Sequence, residues 1–115
     1  DFGRRAAEAI ARWRGVLAGH AAAGRRVVLW GSGSKATGFL TAMGAEAGAV
    51  AAVVDVNPYK RGKFCLGTGH PILGPDDLGT DPPDVVLVAN PVYTGEITEL
   101  LHERGCRPDV TALEV

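Results

Sequence analysis

The stretch that decides the fold is Val27-Val28-Leu29-Trp30-Gly31-Ser32-Gly33-Ser34-Lys35-Ala36. Its first four residues form a continuous apolar run with β-branched side chains, which is typical of a buried parallel strand. The next six satisfy the pattern G-x-G-x-x-G/A, and small and apolar residues continue at helical spacing over 35–47. A strand, a glycine turn and a helix in this order predict the first β-α unit of a Rossmann-like sheet.

The turn itself has the features of an anion site. Gly31 permits a tight turn, Gly33 lets a phosphate approach the backbone, and Ala36 allows the helix to lie close to the strand. The unpaired N–H groups and partial positive charge of a helix start attract anions. Further donors could come from the side chains of Ser32, Ser34 and Lys35. We therefore predict phosphate or nucleotide binding here, with a purely structural glycine turn as the alternative.

Strands and helices alternate along the rest of the chain. Apolar runs predict strands over 49–54, 85–89 and 110–115. Helical spacing predicts a helix over 94–104 that ends at Gly105, and a short helical turn is expected over 76–79. The stretch 57–75 has no regular pattern. This alternation predicts an α/β fold with an open parallel sheet of four or five strands, right-handed crossovers and flanking helices. The irregular stretch is long enough to be functional or mobile.

An amphipathic helix precedes the sheet. Apolar side chains recur there at spacings of three and four residues, at Phe2, Ala6, Ala9, Ile10, Trp13 and Leu17. Asp1 is a candidate N-cap, and Gly24 ends the helix. We divide the chain into a helix or linker over 1–24 and a Rossmann-like domain over 25–115.

Composition limits the function classes. The chain has 115 residues, 46% hydrophobic and 22% charged, which suits a single globular domain. Residues 1–63 carry ten Lys and Arg against four Asp and Glu, whereas 64–115 carry two against nine. A basic half around the turn suits an anionic small molecule, and we expect no nucleic acid partner. The sequence has no apolar run of about 18 residues, so we expect no membrane span. We further expect a cytoplasmic location and interpret the chain as a piece of a longer polypeptide.

Several other polar residues are candidates for the same site. Asp55 lies at the end of the second predicted strand, where it could accept hydrogen bonds from ribose hydroxyls or simply face solvent. Asn90 ends a later strand and either binds ligand or caps the turn at Pro91. The irregular stretch could close over a diphosphate or remain a solvated cluster; its polar groups are Asn57, Tyr59, Lys60, Arg61, Lys63, Thr68 and His70.

No spacing indicates catalytic or metal chemistry. Ser/His/Asp, Cys/His and paired-carboxylate arrangements do not emerge from the pattern, so we predict no catalytic residue and no metal site in this chain. Cys65 and Cys106 lie far apart and are expected to be buried free thiols.

Longer runs of this sequence resemble a known family. They are Val28 to Lys35, Val54-Asp55-Val56-Asn57-Pro58-Tyr59-Lys60-Arg61-Gly62-Lys63, Gly67-Thr68-Gly69-His70-Pro71-Ile72, and Asp84 to Pro91 with Tyr93. Together they are similar to the C-terminal domain of the S-adenosylmethionine-dependent sugar C-methyltransferases of antibiotic biosynthesis. The similarity spans nearly all of 25–115, with two departures: Ser32 replaces a small residue such as Ala, and Arg61 replaces a frequent Gln.

The resemblance implies that the Rossmann-like domain over 25–115 is a nucleotide-sugar-binding domain. In that family the C-terminal domain helps to hold a nucleoside-diphosphate sugar, while S-adenosylmethionine, zinc and the catalytic base belong to other domains. We therefore expect no cofactor in this chain and, as partner, a methyltransferase domain of the same parent chain. Two alternatives remain open: an NAD(P)-binding oxidoreductase fragment, indicated by the glycine pattern and Asp55, and a non-catalytic interaction module, indicated by Phe2 and Trp13 on the first helix.

Overall fold

The computed structural model describes residues 1–113 and contains one parallel five-stranded sheet in the order β3-β2-β1-β4-β5. The strands are β1 (Val27–Trp30), β2 (Val50–Val54), β3 (Ile72–Leu73), β4 (Val85–Val88) and β5 (Asp109–Ala112). The helices are α1 (Phe2–Ala22), α2 (Ser34–Met43) and α3 (Thr94–Glu103). The predicted open parallel α/β sheet with an N-terminal helix is confirmed.

The central strands are apolar throughout because both faces of the sheet are covered. On one face, Leu29 of β1 packs in a cluster with Leu17 of α1 and Leu40 of α2. On the other, Val28 packs with Leu101 of α3. A strand that is buried on both sides needs apolar side chains at every position. This is why β1, β2 and β4 are visible in the sequence as continuous runs.

The α1 helix lies against α2. Its predicted N-cap is confirmed, since the Asp1 carboxylate accepts a hydrogen bond from the Arg4 amide at 2.8 Å. Leu17 is fully buried, and the Trp13 ring meets Phe39 of α2 edge to face with 5.8 Å between ring centroids. Of the helices within residues 1–113, none combines the length and apolar character that crossing a membrane requires.

Several boundaries differ from the predictions. The helix predicted over 35–47 ends at Met43, because Gly44 adopts a φ of +58° and a 3₁₀ helix, Gly44–Ala49, follows. The irregular stretch contains β3, which the sequence pattern did not predict. The last strand begins at Asp109 and ends at Ala112, and the predicted positions 114–115 lie outside the described residues. The turn predicted at 76–79 is a 3₁₀ helix, Pro75–Gly79, and Gly105 adopts the positive φ of a helix-ending residue.

Candidate functional site

A crevice opens where the strand order reverses. β1 lies between β2 and β4, and the helices that follow β1 and β4 cover opposite faces of the sheet. Ligands of open α/β sheets bind at the carboxyl ends of strands at such a switch point. Here the crevice has a volume of about 570 Å³ and mostly apolar walls, formed by Trp30, Val56, Val88, Ala89, Ile97 and Leu100. Gly31 and Gly33 form one rim of it, and Asn90, Tyr93 and Glu96 contribute polar groups.

The fold requires glycine at position 31 of the turn but not at position 33. Gly31 adopts a φ of +120°, and a β-carbon there would lie 3.2 Å from the Ala89 β-carbon. Its amide donates to the Val54 carbonyl at 2.7 Å, so Gly31 is required by the fold. Gly33 has an ordinary φ of −78°, and a β-carbon there would meet no atom within 4 Å. The fold alone therefore does not require glycine at position 33.

The start of α2 presents free backbone donors. Within the part of the chain that the structure describes, the amides of residues 32–36 donate to no protein acceptor, and the first helical bond runs from the Thr37 amide to the Gly33 carbonyl at 3.1 Å. No side chain caps the helix, and its first turn contains no acidic residue. Ser34 and Lys35 are exposed. Free amides, the helix dipole and an ammonium make this end of α2 suitable for an anion.

Asp55 and Lys60 lie beside this turn. The Ser32 hydroxyl donates to one carboxylate oxygen of Asp55, and the Lys60 ammonium is 3.3 Å from the Ser32 hydroxyl and 3.8 Å from Asp55. Sequence reasoning predicted these three residues at one site, and the structure brings them into contact. Asn57 joins them, because its amide donates to the other Asp55 oxygen at 2.8 Å.

Of the other cations in the loop, Arg61 is ion-paired and Lys63 is exposed to solvent. The Arg61 guanidinium makes two hydrogen bonds to the Asp77 carboxylate, and these hold the pKa of Asp77 at about 2. Arg61 is thus engaged away from the turn. Lys63 is exposed, as is Tyr59, whose amide donates to the Asn57 side chain at 3.0 Å.

Two predicted residues contact other parts of the protein and do not join this cluster. His70 precedes β3, and its Nε2 lies 2.9 Å from the Ala47 carbonyl, in a separate hollow of about 400 Å³ that Thr68 also lines. It does not join Ser32, Asp55 and Lys60. Asn90 lines the crevice but uses its side-chain oxygen to accept from the Val92 amide at 3.2 Å.

Sequence reasoning missed part of the crevice wall. Val56 is 65% exposed despite its apolar side chain, and Glu96 and Leu100 come from the side of α3 that faces the switch point. The signal was available: Glu96 and Leu100 are four residues apart and therefore share one face of a helix that follows a central strand.

Reactive groups are sparse in the described residues. Residues 1–113 contain no cluster of three or more His, Cys, Asp or Glu that could hold a metal ion. Cys65 and Cys106 are buried free thiols, and burial raises the pKa of the Cys65 thiol. The site thus offers donors, positive charge and apolar surface, which are means of binding.

Comparison with known proteins yields one family. The family model described as C-methyltransferase C-terminal domain matches residues 1–107, a range that includes α1 and all strands except β5. No curated protein matches the chain.

Proposed function

This chain belongs to the C-methyltransferase C-terminal domain family, and from that membership we propose that it binds the nucleoside diphosphate part of a nucleotide-linked sugar. The methyl transfer is assigned to another domain of a cytoplasmic parent enzyme, as are S-adenosylmethionine and zinc. The proposed setting is the methylation of a deoxysugar in antibiotic biosynthesis.

The observation that carries the proposal is the row of free amides at residues 32–36. Five consecutive N–H groups without a protein acceptor lie at the N-terminus of α2, where anions are favoured. Lys35 adds a positive charge that no described acidic side chain pairs. A diphosphate could accept from these amides without displacing any backbone hydrogen bond of the sheet.

The crevice suits the nucleoside. Its volume of about 570 Å³ is within the range of about 300–1,000 Å³ typical of small-molecule sites. Apolar walls such as Val56 and Leu100 would contact the flat faces of a base, and the Tyr93 and Glu96 side chains could hydrogen-bond its edge. Because Gly33 lies both beside the free amides and at the rim of the crevice, one ligand could place its phosphates at the amides and its nucleoside in the crevice.

Titration tests the proposal directly. Thymidine diphosphate or a thymidine diphosphate sugar should shift the amide NMR signals of residues 32–36 and of crevice residues such as Leu100. Weak affinity is expected, because the rest of the enzyme would complete the site. If millimolar ligand leaves those signals unchanged, the proposed function is wrong.

The oxidoreductase alternative makes a different prediction. A dinucleotide site needs a carboxylate that is open to ribose hydroxyls, whereas each Asp55 oxygen already accepts one hydrogen bond and the side chain is only 16% exposed. This engagement favours the nucleotide-sugar proposal. Enhancement of NADH fluorescence by the chain would reverse that preference.

The interaction-module alternative is favoured by one exposed group. Phe2 at the start of α1 is 85% exposed, although Leu17 further along the helix is fully buried. Light scattering on a chain that begins near Gly24 would reveal whether α1 drives self-association. An unchanged mass would dismiss this alternative.

A further inference from the structure

Both carboxylate oxygens of Asp55 accept hydrogen bonds from groups of this protein. Its Oδ1 accepts from the Asn57 amide at 2.8 Å, and its Oδ2 accepts from the Ser32 hydroxyl and lies 3.8 Å from the Lys60 ammonium. The side chain is only 16% exposed, so its hydrogen bonds are stronger than they would be in open solvent. Each oxygen therefore already has a donor from the protein, and little of the carboxylate surface is open to a sugar hydroxyl.

The backbone after Asp55 folds back, which places the Lys60 side chain beside the glycine turn at 31–36. The Asn57 side chain accepts from the Tyr59 amide at 3.0 Å, and the Asn57 carbonyl accepts from the Lys60 amide at 3.0 Å. These are the local bonds of consecutive turns. They bring the Lys60 ammonium to 3.3 Å from the Ser32 hydroxyl. The Lys60 side chain is 45% exposed, so a ligand can reach it.

The charges also favour an indirect role for Asp55. A bare carboxylate beside the amides of 32–36 would repel a phosphate, but Lys60 neutralises it at a separation of 3.8 Å. An ammonium has three donors and can contact Ser32, Asp55 and a ligand oxygen at once. The positive charge of Lys35 and the helix dipole then remain uncompensated.

We infer that Asp55 is a positioning residue that holds the Ser32 hydroxyl and the Lys60 ammonium beside the free amides, so that Lys60 binds a phosphate oxygen. The ligand group recognised by this set is the diphosphate itself, whatever sugar it carries. The inference rests on the proposed function, and it differs from the expectation that Asp55 accepts hydrogen bonds from ribose.

Two probes separate these roles. Inorganic pyrophosphate contains the phosphates alone, and thymidine diphosphate adds the sugar and base. If Asp55 positions Lys60, Asp55→Asn weakens the binding of both probes by the same factor, about tenfold, because a charge-assisted contact is lost. If Asp55 binds the sugar, Asp55→Asn weakens thymidine diphosphate only, and pyrophosphate binds as well as before or better. That second result would overturn the inference and leave the proposed function intact.

A double-mutant cycle tests the route through Lys60. Lys60→Met keeps most of the apolar stem and removes the charge. If Asp55 acts through Lys60, the double variant binds pyrophosphate no more weakly than Lys60→Met alone. If the affinity losses of the two single variants multiply in the double variant, Asp55 and Lys60 act independently, which would contradict the inference. Asp109→Asn at the start of β5, an exposed residue at the opposite edge of the sheet, is the matched control and should leave binding unchanged.

One measurement needs no variant, in case Asp55→Asn fails to fold. The unaltered chain should bind thymidine diphosphate and 3′-deoxythymidine diphosphate equally, because in this inference Asp55 does not bind the 3′-hydroxyl. A tenfold preference for the hydroxylated probe would overturn the inference. If the chain binds neither these probes nor pyrophosphate, the proposed function fails first and the inference fails with it.

Discussion

Substitution of Gly33 by alanine separates the needs of the ligand from those of the fold. A β-carbon at position 33 would meet no protein atom within 4 Å, and the φ of −78° suits any residue. It would, however, project at the rim of the crevice beside the free amides. We predict that Gly33→Ala folds normally and loses most of its affinity for thymidine diphosphate.

Two opposing effects set the expected stability of Gly33→Ala. Alanine is a poorer N-cap than glycine, at a cost of about 0.5–1 kcal/mol, whereas the smaller entropy of the unfolded chain returns about 0.4–1 kcal/mol. The free energy of unfolding should therefore change by less than about 0.5 kcal/mol. Binding should weaken at least tenfold, which corresponds to about 1.4 kcal/mol, because the methyl group holds the phosphate away from the backbone.

Two further glycine variants serve as controls. Gly31→Ala should lose about 1–3 kcal/mol of stability, because its φ is +120° and Ala89 lies 3.2 Å from the new β-carbon. Gly38→Ala in the interior of α2 meets no atom within 4 Å and should gain about 0.5–1 kcal/mol. Urea unfolding measures the free energy of unfolding of each variant, and calorimetric titration measures its affinity for thymidine diphosphate. Full affinity in a stable Gly33→Ala variant would refute the idea that a ligand approaches this backbone.

Three other outcomes are expected. Leu101→Ala, at a fully buried position of α3, should lower the free energy of unfolding by about 2–5 kcal/mol in urea. Hydrogen bonds from Arg61 and from the Gly74 amide lower the pKa of Asp77 from 3.8 to about 2. These contacts therefore stabilise the fold above pH 4, and their contribution disappears as the pH falls from about 4 to 2. In acid titration, Asp77→Asn should lose that part of the pH dependence. Cys65 is buried with a raised pKa, so a thiol reagent at neutral pH should label it slowly in the native chain and rapidly in urea.

The sheet was largely predictable because its central strands are buried on both faces. Residues 27–30 and 85–88 are apolar at every position, and that pattern does not depend on knowing the neighbours. β3 could not be predicted in the same way. It has two residues, and its place is set by bonds to β2, from the Val53 amide to the Pro71 carbonyl and from the Asp55 amide to the Leu73 carbonyl.

The candidate site was predictable where one β-α unit builds it. The turn at 31–36 follows a recognisable strand, so its glycines and free amides could be expected from the pattern alone. His70 could not be assigned, because the path of its loop depends on long-range bonds such as the one to the Ala47 carbonyl. The contact of Lys60 with Ser32 likewise depends on how the turns after Asp55 fold back.

Under the proposed function, this domain contributes to catalysis only through binding energy. Its groups would hold phosphates and a base, which do not change during methylation of a sugar carbon. Binding energy from such remote groups accelerates a reaction when it orients the reacting part of the substrate against the catalytic residues. A rigid turn serves that purpose better than a mobile one, since a misplaced diphosphate would misplace the sugar attached to it. The network of Asp55, Ser32, Asn57 and Lys60 provides that rigidity on the side of the turn nearest β2, and the Gly31 amide fastens the turn to β2 itself.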